Sequence, residues 1–340
     1  MNKPKTLSSV PVMAIMLLLA CRASFGQSLN EIQDSIRARG RKWIAAENSV
    51  SILPDNEKRL RVGLIKRSPT SGEQVLPDQA PQQGLPTSYN VSLALVTPVR
   101  DQGSCSSCWA FATTAALESN LLIRGLFSSG TDDDRAEQVL ISCSGAGSCS
   151  GGSIGSASSF IQSTGLPPYS DFPYTATNNT CSNATTGWQA SALNISSWAY
   201  VTTSTVNVSA IQNALVTYGP LATTMNVYTD FFSYSNGTYE YTTGTLAGSH
   251  AILIVGYEDN AAYGGGGYFV VKNSWGTGWG MGGFFQIAYS QLNPPVNFGE
   301  YTIAYLTGVP ASRPSPPTHL SVPVASAGDV NLSWSAGSTN

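Results

Sequence analysis

A basic start, Lys3 and Lys5, leads into an apolar run from Val10 to Ala20, the length of a signal-peptide core and short for a bilayer span. The rest of the chain is therefore expected to fold outside the cytosol, where cysteines pair rather than stay reduced. Small residues Ser24 and Gly26 suit a signal peptidase, which sets residues 1–26 apart. A buried N-terminal helix is the competing reading. Leu18-Leu19-Ala20-Cys21 also loosely matches a bacterial lipobox, in which Cys21 would carry a lipid anchor. No other stretch is long and apolar enough to cross a membrane, so the expectation is a secreted protein, or a cell-surface lipoprotein if Cys21 is lipidated. A lysosome-like compartment is the alternative in a eukaryote.

Composition removes several classes. With 42% hydrophobic residues and a net charge of -3 over 340 residues, neither disorder nor nucleic-acid binding driven by basic charge fits. Only 11% of residues are charged, against a usual ~25%, which suits an extracellular surface. Two histidines preclude a site of several His ligands and leave two candidates for imidazole chemistry.

Residues 27–85 differ in character from residues 86–310. Ser28-Leu29-Asn30-Glu31 is a capping box, Leu29, Ile32 and Ile36 recur at helical spacing, and Trp43 and Ile44 come further on, which predicts a short amphipathic helix. Pro77 to Pro86 is Pro- and Gln-rich and reads as an exposed linker open to proteolytic nicking. Residues 27–85 carry nine Lys/Arg against seven Asp/Glu, a net of +2, whereas 86–310 carry four against twelve, a net of -8. Two unrelated solvated surfaces would give this; so would a removable segment held partly by charge complementarity.

The chemistry becomes specific in VTPVRDQGSCSSCWAFATTA, Val96 to Ala115. The pair Cys105 and Cys108 alone is consistent with zinc, a redox couple or neither. Trp109 to Ile123 runs without Gly or Pro, however, with Ala and Leu at helical spacing, so Cys108 falls at a helix N-terminus. There the dipole and free N–H groups favour a thiolate. His319 lies in a Pro-rich tail and reads as a spacer. His250, in GSHAILIVGY, enters an apolar β-type run 142 residues after Cys108, within the ~130–150 typical of one class of cysteine protease. Asn273, in YFVVKNSWGTGWG, comes after a second strand and can hold an imidazole by one hydrogen bond.

These blocks, from Leu85 to about Gly308, resemble the papain-like cysteine peptidases. The resemblance implies an α+β fold of two subdomains, a helical half and a β-barrel-like half with the cleft between them. It implies Cys108 as nucleophile, His250 as base, Asn273 as its orienting amide, and Gln102 as oxyanion donor, worth roughly 3 kcal/mol. In EQVLISCSGAGSCSGG, Gly151 and Gly152 would form a cleft wall whose bare backbone pairs with extended substrate. Trp275 would shield the His250–Asn273 bond, and Trp279 would line the leaving-group side. Both are otherwise core aromatics in a Gly-rich turn.

With Cys108 as nucleophile and Cys21 in the signal, four cysteines remain, which allow three connectivities; the family pattern pairs Cys105 with Cys149 and Cys143 with Cys181. A four-cysteine zinc site is the alternative. The resemblance implies no metal and no cofactor, protein or peptide substrates, and residues 27–85 as a propeptide that inhibits its own enzyme. The compact WIAAENSVSILPDNEKRLRVGL is nearer to cathepsin B-like and prokaryotic propeptides than to long cathepsin L-like ones. No histidine lies between Cys108 and His250 to build an occluding loop, which favours endopeptidase action.

Departures exist. Tyr89-Asn90-Val91 stands where the family has Asp-Trp-Arg, Ser106 replaces a glycine, and Ser249 replaces the Asn or Asp before the histidine. Seven N-x-S/T sequons occur, at Asn90, Asn178, Asn183, Asn194, Asn207, Asn236 and Asn331. Residues 311–340 resemble the start of a fibronectin type III domain, with Leu332 and Trp334 alternating, but are too few to close one. Two other functions compete: an inactive papain-fold binding module, and a thiol–disulfide oxidoreductase using Cys105 and Cys108.

Overall fold

The computed structural model describes residues 27–77 and 84–306, with the backbone of two two-residue strands at 320–321 and 333–334. The signal segment with Cys21, the middle of the Pro/Gln-rich linker, His319 and Leu332 lie outside the described residues. Among the described residues no helix is long and apolar enough to cross a membrane.

Among the described residues six α-helices occur in chain order: α1 Leu29–Ala38, α2 Asp55–Arg59, α3 Cys108–Ile123, α4 Glu137–Cys143, α5 Ile154–Ser163 and α6 Val208–Tyr218. The strands are β1 Trp43–Ala45, β2 Ser88–Asn90, β3 Gly147–Ser148, β4 Gly151–Gly152, β5 Ser197–Tyr200, β6 Leu221–Tyr228, β7 Tyr234–Tyr239, β8 Leu246–Asp259, β9 Gly267–Lys272, β10 Phe284–Ala288 and β11 Glu300–Leu306. One large sheet runs in the order β1-β7-β10-β9-β8-β6-β11-β5, with β2 paired to β8. This is a mixed α+β architecture, with α3, α4 and α5 gathered on one side and the sheet on the other.

Helix α3 is buried nearly all round, from Cys108 to Leu122. Its apolar residues therefore need no polar face, and it serves as the central post of the helical half. It packs directly on β8, whose residues His250 to Tyr257 are all buried. The post carries the cysteine and the strand carries the histidine, so core packing brings the two together.

The N-terminal segment adds to both halves. Ser28 and Glu31 close the expected capping box, and Ile32 and Ile36 are the buried face of α1. The helix stops at Ala38, and Trp43 belongs to a strand: β1 pairs antiparallel with β7, Trp43 opposite Gly237 and Ile44 opposite Asn236. The segment so extends the body's sheet at an exposed edge. Gly237, at φ +82°, is required there because a Cβ would sit 2.3 Å from the Lys42 carbonyl. Beyond residue 306, Leu320 pairs with Trp334 and Ser321 with Ser333, antiparallel.

Candidate active site

Cys108 is the first residue of α3 and has no exposed surface. Burial pushes its thiol up to about 11, against the backbone N–H groups of Ala251, Gly63, Trp109 and Cys108 itself, which lie close enough to favour the anion. The contact from Ala251 sets the sulfur beside His250, its neighbour on β8.

His250 is fully buried, and burial lowers its imidazole to about 4, partly offset by the bond to Asn273. Nε2 lies 2.8 Å from Asn273 Oδ1, which also accepts the Ser274 N–H at 2.8 Å. That second donor identifies the atom as the amide oxygen, so Nε2 must be the protonated nitrogen. Nδ1 then carries the lone pair, and it is buried with no hydrogen-bond partner. A neutral base with its free lone pair lies next to the sulfur's strand contact. Trp275 roofs the ring, with centroids 4.8 Å apart and planes inclined at 34°.

Gln102 is wholly buried. Its Nε2 donates to the Cys105 carbonyl at 2.9 Å and reaches the Leu60 carbonyl at 3.5 Å, while its Oε1 accepts the Ser274 hydroxyl at 2.8 Å. Ser274 thus ties Gln102 to Asn273, one support serving an amide donor and an orienting amide. No sequence argument singled it out, although its place between Asn273 and Trp275 was a signal.

Gly151 and Gly152 form β4, antiparallel to β3. A Cβ on Gly152 would meet the Trp109 ring at 2.3 Å, and one on Gly151 would meet the Gly63 carbonyl at 2.7 Å. Cys105 is joined to Cys149, which pins this wall to the loop before Cys108, and Cys143 is joined to Cys181. All four are consumed as disulfides, which leaves no thiolates for zinc and no Cys105 thiol to exchange with Cys108. Trp279 has no exposed surface; its ring packs on Trp275 and Phe231, and its N–H donates to the Phe232 carbonyl at 3.2 Å.

The N-terminal segment lies across these groups. The Arg61 carbonyl accepts the Trp275 indole N–H at 3.1 Å. Gly63 and Leu64 donate to the Ser249 carbonyl, each at 3.0 Å, while Gly152 donates to the Gly63 carbonyl at 3.0 Å and Ile65 to the Gly152 carbonyl at 2.8 Å. The segment therefore enters by the tryptophans and leaves by the glycine wall, held on both sides through backbone. Gly63 fits because a Cβ would stand 2.4 Å from the Ser106 carbonyl oxygen. Charge joins in: Arg41 pairs with Glu240, Arg61 with Asp101 and Lys66 with Glu300.

Beneath the site, Lys272 is buried next to Asn273 and donates to the Thr97 carbonyl at 2.7 Å. Burial lowers it to about 8 and raises Glu118, on α3, to about 7. Neither was expected from sequence, since an isolated Lys or Glu reads as surface.

Residues 85–302 match the family described as "Papain family cysteine protease". The "Cathepsin L-like proteinase" of Fasciola hepatica is 35% identical over 202 residues, which cover 58% of this chain and 58% of that protein. The chain spans less than two thirds of the length of the first curated relatives it matches. Among solved structures, a digestive procathepsin L2 proteinase from Tenebrio molitor superposes with a TM-score of 0.69 at 26% identity, covering 82% of this chain and 89% of that one. A procathepsin B from Trypanosoma congolense gives 0.71 at 20% identity, covering 84% and 99%, a likeness of fold.

Proposed function

The chain belongs to the papain family of cysteine proteases, and from that premise we propose that it is the zymogen of an exported cysteine endopeptidase, with residues 27–85 as propeptide. One observation carries the reading. A nucleophile at a helix start, a neutral base with an unpartnered Nδ1 and an amide donor converge under a strip of the chain's own backbone.

In the uncovered cleft the thiol proton passes to His250 Nδ1, which gives a thiolate and an imidazolium. The thiolate attacks a peptide carbonyl, and the Gln102 amide with the Cys108 N–H receives the oxyanion. His250 then protonates the leaving amine, and a thioester remains. Water, deprotonated by His250, hydrolyses that thioester. Asn273 keeps the ring in the required tautomer throughout, and Trp275 keeps water from their bond.

Burial in the covered state supports inhibition by a second route besides blockage, because it favours the neutral thiol and the neutral imidazole over the ion pair. Running from the tryptophans to the glycine wall, the segment lies opposite to the direction expected of a substrate whose leaving group departs by the tryptophans. Reversal explains how it can fill the cleft uncut. Secretion, or attachment to a cell surface through Cys21, fits the N-terminal signal, and a lysosome-like compartment is the eukaryotic counterpart.

The test is a fluorogenic peptide panel on the full chain activated by cleavage in the linker. Wild type should turn over internal peptide bonds, and Cys108→Ala should lose about 10⁴-fold or more in kcat. Equal turnover by the two would defeat the proposal.

A further inference from the structure

Resting on the peptidase reading, we infer that the cleft has a built cation subsite, formed by Glu300 and Asn226, that selects substrates with an arginine or lysine side chain on the acyl side of the scissile bond.

The covering segment marks the place. It crosses the strands in sheet order: Val62 packs against Gly248, Gly63 and Leu64 bond to Ser249, both on β8, and Leu76 bonds to Tyr200 on β5. Between these points it spans β6 and β11. There the Lys66 ammonium lies 2.9 Å from Asn226 Oδ1 and 2.7 Å from Glu300 Oε2. This is beyond Cys108 on the glycine-wall side, where the acyl part of a substrate would lie.

The acceptors are positioned in advance. Asn226 donates its side-chain Nδ2 to the Pro295 carbonyl at 3.1 Å and accepts the Ser249 hydroxyl at 3.1 Å, which turns its oxygen toward Lys66. Glu300 is opposite Thr224, which is opposite Ala251, the residue after His250, so all three share one face of the sheet. Lys66 and Glu300 side chains are only 19% and 17% exposed. The pair is therefore sheltered enough to matter, unlike a surface ion pair.

The body cannot satisfy Glu300 by itself. Residues 86–310 hold four basic side chains. Arg100 is engaged by Asp132 and Asp134, Arg135 by Asp133, Lys272 by Thr97 and Arg124 by the Asn194 carbonyl. When the segment leaves, the Glu300 carboxylate and the oriented Asn226 amide oxygen are left with no cation of their own. A basic side chain restores what Lys66 supplied, and a charge-assisted hydrogen bond of this kind corresponds to about 10- to 100-fold in affinity.

The experiment uses the full chain activated in the linker, with active sites counted by a thiol-directed epoxide. Peptides pair arginine with citrulline, its neutral isostere, at each position before the cut. Wild type should prefer arginine at one position by tenfold or more in kcat/KM, and Glu300→Gln should lower that ratio to within about twofold of unity. Should the Gln variant yield no titratable thiol, Asn226→Asp, which adds a carboxylate at the same point, should raise the ratio severalfold. Equal cleavage of the two peptides by wild type, a ratio that survives Glu300→Gln, or one unmoved by Asn226→Asp overturns the subsite while leaving the peptidase intact. A wild type that cleaves no peptide overturns both.

Discussion

The two ends of the N-terminal segment are held in different ways. Residues 27–50 are held by apolar burial: Ile32, Ile36, Trp43 and Val50 are core residues, and Trp43 also donates its indole N–H to the Glu240 carbonyl at 3.0 Å. Residues 60–66 bury Val62 and Leu64 as well, but add what the first end lacks over the cleft: backbone hydrogen bonds on both sides and ion pairs around a glycine, with Ile65 56% exposed. On the zymogen reading proposed above, the first end would supply affinity and the second occlusion. Separating them lets a segment stay docked while its strip over Cys108 answers to pH or to a cut.

Removing the apolar anchor should have the largest effect. Trp43→Ala deletes a side chain with 2% exposure, and such deletions cost about 3–5 kcal/mol. In a chain nicked in the linker and carrying Cys108→Ala, the segment should dissociate at least a hundredfold more readily, measured by gel filtration or surface binding. An unchanged affinity would break the contrast between the two ends.

Acid should act on the other end. Under the segment burial holds the His250 imidazole down to about 4, from an ordinary 6.5, and uncovering it relieves that burial. The covered state therefore binds fewer protons, so lowering the pH from 6.5 to 4 favours release, by of order 3 kcal/mol or about a hundredfold. The dissociation constant of the nicked complex across that range measures it; in Trp43→Ala the slope should persist at weaker affinity. A flat profile would remove His250 from release.

Gly63→Ala should give the smallest and most selective effect. The added methyl would stand 2.3 Å from Ser106 Cβ and 2.4 Å from its carbonyl oxygen, an overpacking cost of about 1–3 kcal/mol. The strip should lift while α1 and β1 stay docked. Alkylation of Cys108 should then quicken with no matching loss of the bound segment. Parallel changes in both would mean that the two ends act as one.

Legibility in the sequence divides along the same line. That Cys108 opens a helix, that His250 lies on an apolar strand and that Asn273 follows another was legible from local pattern, and two histidines left few alternatives for an imidazole. Helix α1 was legible from a local capping box and helical spacing. The strand character of Trp43 was not, since three residues acquire it only by pairing with β7 some 190 residues later, a contact with no local signature. The cleft strip is likewise a backbone structure, and only Gly63 marks it. Ser274 and the Asn226–Glu300 pair depend on cross-strand register and on loops closing over the site. Spacing along one chain does not encode those placements.

The claim beneath all of this is that Cys108 and His250 form one reactive pair that the segment switches off by burial. Its most direct measurement is the rate of Cys108 alkylation against pH in the intact chain and in the activated one. The account predicts that the intact chain, above the acid range in which the strip is released, reacts only as pH approaches the raised thiol value of about 11. The activated chain should react rapidly through the neutral range and lose that neutral-range reactivity in His250→Ala. Identical profiles for the two forms, or one untouched by loss of the imidazole, would contradict it.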